Sequence, residues 1–412
     1  MSFEFSLREL GNKPTAPIRL TDPLARAELP TPALVINRAA LSRNLSKMHT
    51  FLEASGKGMR SHSKTHKCPT IALQQISAGG VGICVAKIGE AAAMLQGGVT
   101  NLLITSPVAT STKARLLNHL LSQYKGNKPD DSMAASLNTQ MEPGTKTDID
   151  IKLVVDSTVG LKLLEKYIDP ANRMGVLIDI DVSMGRTGVR DLETILSLIE
   201  RVSNDSRFYF AGVQHYAGQI MHVESYAKRR EKSLRSWEAT GELIASIESR
   251  GFAVDVVTGG GTGTYDIDVS VAAITDLQVG SYIFMDAEYR AVHSRDNDVF
   301  DDFEIALTVL CSTISQPKEG LITVDGGYKA FASDSVVPQC IDLPDVAFRF
   351  AGDEHGVLIL PSGEQEVRLG QTLSFATPHC DPTVNLHDYY WIEEADGRIS
   401  ECWPITARGC SW

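Results

Sequence analysis

The chain has 412 residues, is 43% hydrophobic and 22% charged, and carries a formal net charge of −12, which suits a globular protein with room for a large barrel plus a second domain and leaves no basic footprint for nucleic acid. No apolar run approaches the roughly 18 residues of a membrane span, and Met1 to Asn12 lacks a charged-then-apolar export signal, so no membrane partner is expected. Seven cysteines, odd in number and scattered from Cys68 to Cys410, argue against a disulfide framework and for a reducing, cytoplasmic location.

Residues 1–30 read as an irregular lead-in. In the segment 31–58, residues 32–36 read as a strand, Asn37 as a helix cap, and 40–52 as an amphipathic helix with Leu41, Leu45, Met48 and Leu52 on one face. The next strand runs into Met59-Arg60-Ser61-His62-Ser63-Lys64-Thr65-His66-Lys67-Cys68 and is closed by Pro69. Further strands follow at 81–86, 101–105, 151–156, 175–181, 209–214, 254–258 and 278–285, with helices among the connections, as at 90–95 and 112–121. Counted from the Lys64 strand these make eight. That rhythm predicts an α/β chain whose residues 59–292 close into a (β/α)8 barrel, with a doubly wound open sheet as the competing architecture. Residues 122–147 are poor in large apolar side chains and read as a surface insertion. Over 293–412 the helical period gives way to short alternating runs between turn signals, which predicts a C-terminal all-β domain. The strand at 33–36 is spare to the barrel count and is expected to pair into that domain.

Four stretches carry chemistry. Val257-Thr258-Gly259-Gly260-Gly261-Thr262-Gly263-Thr264 follows the seventh barrel strand, where glycine-rich loops let backbone N–H groups converge on phosphate; taken singly, a glycine run is an ordinary turn. Lys64 stands at a strand's carboxyl end in the same barrel, and lysine plus phosphate cradle is what an aldehyde cofactor bearing a phosphate requires, so Lys64 reads as the Schiff-base lysine of a pyridoxal 5'-phosphate enzyme. In Gly185-Arg186-Thr187-Gly188, Arg186 is placed to meet the cofactor's phenolate oxygen or, equally, a surface carboxylate. Gln214-His215-Tyr216-Ala217-Gly218-Gln219-Ile220-Met221-His222 offers Tyr216 to the pyridine nitrogen and a neutral imidazole for proton transfer. In Pro378-His379-Cys380-Asp381-Pro382, an extended backbone would put His379 and Asp381 on one face, a pair suited to Mn²⁺ or Mg²⁺; Cys380 as second ligand would favour Zn²⁺ instead.

With these stretches, together with Leu277-Gln278-Val279-Gly280-Ser281-Tyr282 and Asn385-Leu386-His387-Asp388, the chain resembles the D-threonine aldolase and D-serine dehydratase family of fold-type III pyridoxal-phosphate enzymes, from about residue 31 to the C-terminus apart from the insertion. The resemblance implies an alanine-racemase-like barrel plus a β-domain and a homodimer. It also implies Lys64 carrying the cofactor, Arg186 on its phenolate, Gly260, Gly261 and Thr262 around its phosphate, His379 and Asp381 on a divalent metal, and His222 as the base near the substrate hydroxyl. Dehydratase members tend to carry His-x-Cys with zinc, whereas His379-Cys380-Asp381 looks like the aldolase branch. Ser61 stands where a proline is usual and Ala217 where a polar residue is common. The expected activity is cleavage of a D-3-hydroxy amino acid to glycine and an aldehyde. The rivals are a dehydratase giving a 2-oxo acid and ammonia, a racemase, and a cofactor-binding protein without turnover.

Overall fold

A computed structural model describes residues 16–124, 149–361 and 367–412. The expected insertion lies outside the described residues from 125 onward, as do the first 15 residues of the lead-in. In the rest of the lead-in, Ile18–Ala25 is a strand, β1, rather than irregular chain. Its pairing with a strand near the C-terminus leaves no local periodicity for sequence reading to detect. Ala33–Asn37 is β2 and Arg38–Ala54 is α1, whose first turn is capped by Asn37 Oδ1 accepting from the Ala40 N–H at 2.9 Å.

The barrel strands are β3 (Gly58–His62), β4 (Gly82–Val85), β5 (Asn101–Ile104), β6 (Asp150–Val155), β7 (Met174–Ile180), β8 (Phe208–His215), β9 (Val256–Gly259) and β10 (Asp276–Leu277). They are parallel throughout and closed, with β10 bridging β9 to β3. Helices α2 (Pro69–Ser77), α3 (Ile88–Gln96), α4 (Ser111–Tyr124), α5 (Thr158–Tyr167), α6 (Leu192–Ser203) and α7 (Tyr226–Ser249) make the crossovers that parallel pairing needs. Several begin where a short polar side chain satisfies an orphan amide: Ser157 accepts from Gly160 N–H, Asp191 from Thr194 N–H and Ser225 from Lys228 N–H. Cys84, Leu103, Val154, Leu177 and Ala211, one from each of five successive strands, form an apolar layer.

The eighth strand is displaced from its expected position at 278–285. Only Asp276–Leu277 pairs; the Gln278 N–H then donates to the Gly259 carbonyl at 2.7 Å, and Ser281–Ile283 turns as a 3-10 helix. Val279 and the apolar run Tyr282 to Met285 are buried in and around that turn rather than on a sheet, which is why they imitate a buried strand.

The chain divides into two compact units. The barrel unit takes Met48–Lys64, Pro69–Gly280 and Cys410–Trp412; the β unit takes residues up to Lys47, Thr65–Cys68 and Ser281–Gly409, so 281–292 belong to the β unit and not to the expected barrel. In the β unit the remaining strands are β11 (Leu307–Lys318), β12 (Leu321–Val324), β13 (Gln339–Cys340), β14 (Ala347–Phe350), β15 (Gly356–Ile359), β16 (Thr372–Ala376), β17 (Tyr389–Glu393) and β18 (Arg398–Pro404). They form a sheet in the order β1-β18-β17-β2-β11-β12-β15-β14, with β16 also on β11. β2 is its central strand, parallel to β17 and antiparallel to β11, and packs with Leu29, Leu310, Trp391, Ile399 and Cys402. No helix among the described residues is long and apolar enough to cross a membrane.

Candidate functional site

Because all eight barrel strands are parallel, their carboxyl ends share one rim, the end where barrel enzymes place their chemistry. Lys64 follows β3 in the 3-10 turn Ser63–Thr65; Arg186 follows β7; Tyr216 and His222 follow β8; Gly260, Gly261 and Thr262 follow β9. Only the two-residue β10 separates the Lys64 strand from the glycine-loop strand. Lys64 is half-buried, and its N–H donates to His62 Nδ1 at 3.3 Å while His62 Nε2 meets Thr105 Oγ1 at 3.2 Å. Ser63 Oγ donates to the Cys84 carbonyl at 3.0 Å, which pins the turn to β4.

The loop after β9 is shaped for glycine. Gly260 has φ of +66°, and a Cβ there would lie 2.5 Å from Asp268 Oδ2. Cβ atoms at Gly261 and Gly263 would lie 2.8 Å from Met221 Sδ and 2.2 Å from the Met221 carbonyl oxygen. The cradle is thus one that side chains would fill, the shape a phosphate group needs. Beneath it, Asp268 at the end of α8 (Tyr265–Asp268) accepts from Ser233 Oγ and Thr264 Oγ1, each at 2.5 Å. Burial pushes its carboxyl up to about 6 against those hydrogen bonds.

Arg186 is exposed, and its guanidinium lies 5.2 Å from the Tyr216 ring centroid, so the structure brings these two expected cofactor contacts together. The loop carrying Arg186 is ordered by carboxylates: Asp181 Oδ1 accepts from the Met184 and Gly185 amides at 3.1 Å, and Asp179 Oδ2 accepts from Thr187 Oγ1 at 2.6 Å. His222 is exposed. His215, also at a strand end, is structural: it stacks on Trp237 at 3.7 Å and meets Thr240 Oγ1 at 2.8 Å, and burial drives its pKa down to about 3.

A polar network runs through the barrel interior. Gln278 Nε2 donates to Gln214 Oε1 at 3.1 Å, Gln214 Nε2 to Asp179 Oδ1 at 2.9 Å, and Arg60 Nε to Asp276 Oδ1 at 3.0 Å. Burial holds the Asp179 carboxyl above its ordinary range. Sequence reading missed this network; its only signal was polar residues inside otherwise apolar strands.

In the β unit the geometry around His379 differs from the extended chain expected. Cys380–Val384 is a short helix, α10, with His379 at its N-cap. Asp286, cap of α9 (Ala287–Arg290), causes the turn: its Oδ2 accepts from the Cys380 N–H at 2.9 Å, and the Ala287 and Glu288 amides donate to the Thr377 and Pro378 carbonyls. The argument that alternate residues share a face therefore does not apply to His379 and Asp381. They are nonetheless neighbours electrostatically. Burial opposes a charge on His379, but Asp381, Asp334 and Asp286 outweigh it and hold its pKa above the ordinary value. His379 Nδ1 lies 2.8 Å from Asp334 Oδ2 and 3.7 Å from Glu288 Oε2, two partners that no spacing rule would have found. Cys380 is turned away, its Sγ 3.5 Å from the Met285 carbonyl and from Thr377 Oγ1. The donors gathered here are therefore an imidazole and carboxylates, with the thiol directed elsewhere. Among the described residues no three of His, Cys, Asp and Glu converge as a closed metal cage. A separate cleft of about 230 Å³ in this unit is lined in part by Arg26, Arg43, Glu304 and Glu393, and its arginines are already paired with its glutamates.

Residues 36–288 match the family model described as "Alanine racemase, N-terminal domain", and 306–392 match "Putative serine dehydratase domain". The chain is 32% identical to a 3-hydroxy-D-aspartate aldolase of Paracoccus denitrificans (strain Pd 1222) over 93% of each chain. It is 31% identical to a D-threonine aldolase of an Arthrobacter species over 96% of each. Among solved structures it is similar to D-threonine aldolase from Filomicrobium marinum, with a TM-score of 0.85 and 31% identity, covering 96% of this chain and 100% of that one.

Proposed function

Because the chain belongs to the D-threonine aldolase and D-serine dehydratase family of fold-type III pyridoxal-phosphate enzymes, we propose that it uses pyridoxal 5'-phosphate and a divalent metal to cleave D-3-hydroxy amino acids to glycine and an aldehyde. Homologues with aldolase activity on D-threonine and 3-hydroxyaspartate support a carbon–carbon lyase of D-amino acids. The observation that carries the cofactor reading is the placement of Lys64 and the glycine cradle on one barrel rim, with a single short strand between theirs.

In this reading Lys64 supplies the amine that holds the cofactor aldehyde, Gly260, Gly261 and Thr262 seat the phosphate, Arg186 meets the phenolate oxygen and Tyr216 the pyridine nitrogen. When bound, the cofactor supplies an electron sink for the pair left at Cα. His222 takes the proton from the substrate's β-hydroxyl, the change that lets the Cα–Cβ bond break. Lys64 would hold the cofactor aldehyde when no amino acid is bound, and Cα takes up a proton to complete glycine. His379 and Asp381 are the proposed ligands of Mn²⁺ or Mg²⁺, a charge that acidifies a coordinated hydroxyl. The assembly in this reading is a homodimer.

The match of 306–392 to a serine dehydratase domain favours a second reading, loss of the β-hydroxyl as water to give a 2-oxo acid and ammonia. D-Threonine incubated with the purified chain, cofactor and Mn²⁺ separates the two. Glycine plus acetaldehyde supports the aldolase; ammonia plus 2-oxobutanoate supports the dehydratase. Addition of a chelator should stop either reaction, and activity that persists with all metal removed sinks the metal part of the proposal.

A further inference from the structure

The 24-residue helix α7 turns a polar stripe towards the barrel where apolar side chains would be cheaper to bury. Arg229, Ser233, Trp237 and Thr240 lie on that buried face. Ser233 holds Asp268 beneath the glycine cradle, and Trp237 and Thr240 hold His215. Arg229 is 0% exposed, and its contacts run to two loops at once. Its Nε donates to the Gly263 carbonyl at 2.7 Å, and its Nη1 donates to the carbonyls of Val223 at 2.7 Å and Glu224 at 3.3 Å. Gly263 belongs to the cradle after β9, while Val223 and Glu224 directly follow His222 in the loop after β8.

These loops already touch backbone to backbone, since Gly263 leaves no room for a Cβ beside Met221. Desolvating a guanidinium is costly, so a fully buried one has to be matched by several well-aimed acceptors. Its planar fork fixes donor directions in a way an ammonium does not. Pinning the Gly263 carbonyl also orients the rest of that rigid peptide plane, whose far end is the Thr264 N–H, the group that donates to the Gly261 carbonyl at 3.2 Å and closes the cradle's turn.

We infer that Arg229 is a positioning residue that ties the glycine cradle to the loop carrying His222, so that phosphate affinity and the placement of the proton-transfer group depend on one guanidinium. The inference rests on the cofactor reading above and adds a residue to it.

The test uses the full chain as wild type, Arg229→Met and Arg229→Lys. Visible absorbance follows titration with pyridoxal 5'-phosphate and with pyridoxal, the same aldehyde without phosphate. Hydrogen–deuterium exchange follows residues 218–225 and 259–264. Arg229→Met should weaken the phosphorylated aldehyde about tenfold or more, the effect of losing charge-assisted hydrogen bonds, with little change for pyridoxal. Exchange should rise in both loops together, and Arg229→Lys should recover part of the affinity. Unchanged affinity for the phosphorylated aldehyde, equal loss for the two aldehydes, or faster exchange in one loop alone overturns the inference. If Arg229→Met does not fold, Arg229→Lys against wild type is judged by the same outcomes. Wild type that binds neither aldehyde rejects the cofactor reading, and the exchange comparison then decides by itself whether Arg229 ties the loops.

Discussion

His379 Nδ1 and Asp334 Oδ2 lie 2.8 Å apart although 45 positions separate them in the chain. A carboxylate on one ring nitrogen fixes the imidazole's orientation and directs the other nitrogen towards a ligand, the usual arrangement behind a metal-binding histidine. Asp334→Ala should therefore weaken Mn²⁺ binding by roughly 10- to 100-fold, read from the electron paramagnetic resonance of free Mn²⁺. Equal affinity in wild type and variant would show that Asp334 does not orient the ring.

Lys64→Ala is expected to leave the fold unchanged, because the side chain is half-buried in a turn that Ser63 already anchors to β4. Pyridoxal 5'-phosphate added to wild type should give an aldimine band at longer wavelength than the free aldehyde, and that band should be missing in the variant. A variant that still develops that band must carry the cofactor on another amine.

Gly263→Ala places a Cβ 2.2 Å from the Met221 carbonyl oxygen, a backbone atom that can yield only if the whole loop moves. Overpacking of this kind costs about 1–3 kcal/mol, and here the strain falls on the cradle. Cofactor affinity should drop by more than the melting temperature suggests. Gly241→Ala, inside α7 with nothing within 4 Å of its Cβ, serves as the control: it should raise stability by about 0.5–1 kcal/mol and leave cofactor affinity unchanged.

Asp268 predicts a pH signature. Burial pushes its carboxyl up to about 6 in the folded chain, against about 3.9 when unfolded. Between those values the folded chain holds a proton that the unfolded chain has lost, so stability falls as pH rises through the window and is level above it. Two units correspond to at most about 3 kcal/mol. Asp268→Asn does not titrate, so wild type should lose ground to it in urea midpoints between about pH 4 and 6 and then hold a constant difference. A difference independent of pH across that window would place the proton elsewhere.

What could be read from the sequence was local. Apolar runs punctuated by glycine and polar caps marked β3 to β9 and the helices between them, because hydrophobic period and capping act within a few residues. The glycine loop after β9 and Lys64 after β3 were recognisable for the same reason: each motif is contiguous, and strand counting alone places both on one rim. The tertiary structure decided what distant residues do to one another. β1 exists because β18 pairs with it, and β10 pairs over two residues only before the chain turns at Ser281–Ile283. The backbone after His379 is helical because Asp286, 94 positions before Cys380, accepts its amide. Asp334 beside His379, and Arg229 beneath two loops, carry no mark in spacing or composition. A hydrogen bond across tens of residues depends on where the folded chain brings its ends, and no periodicity along the chain encodes that meeting.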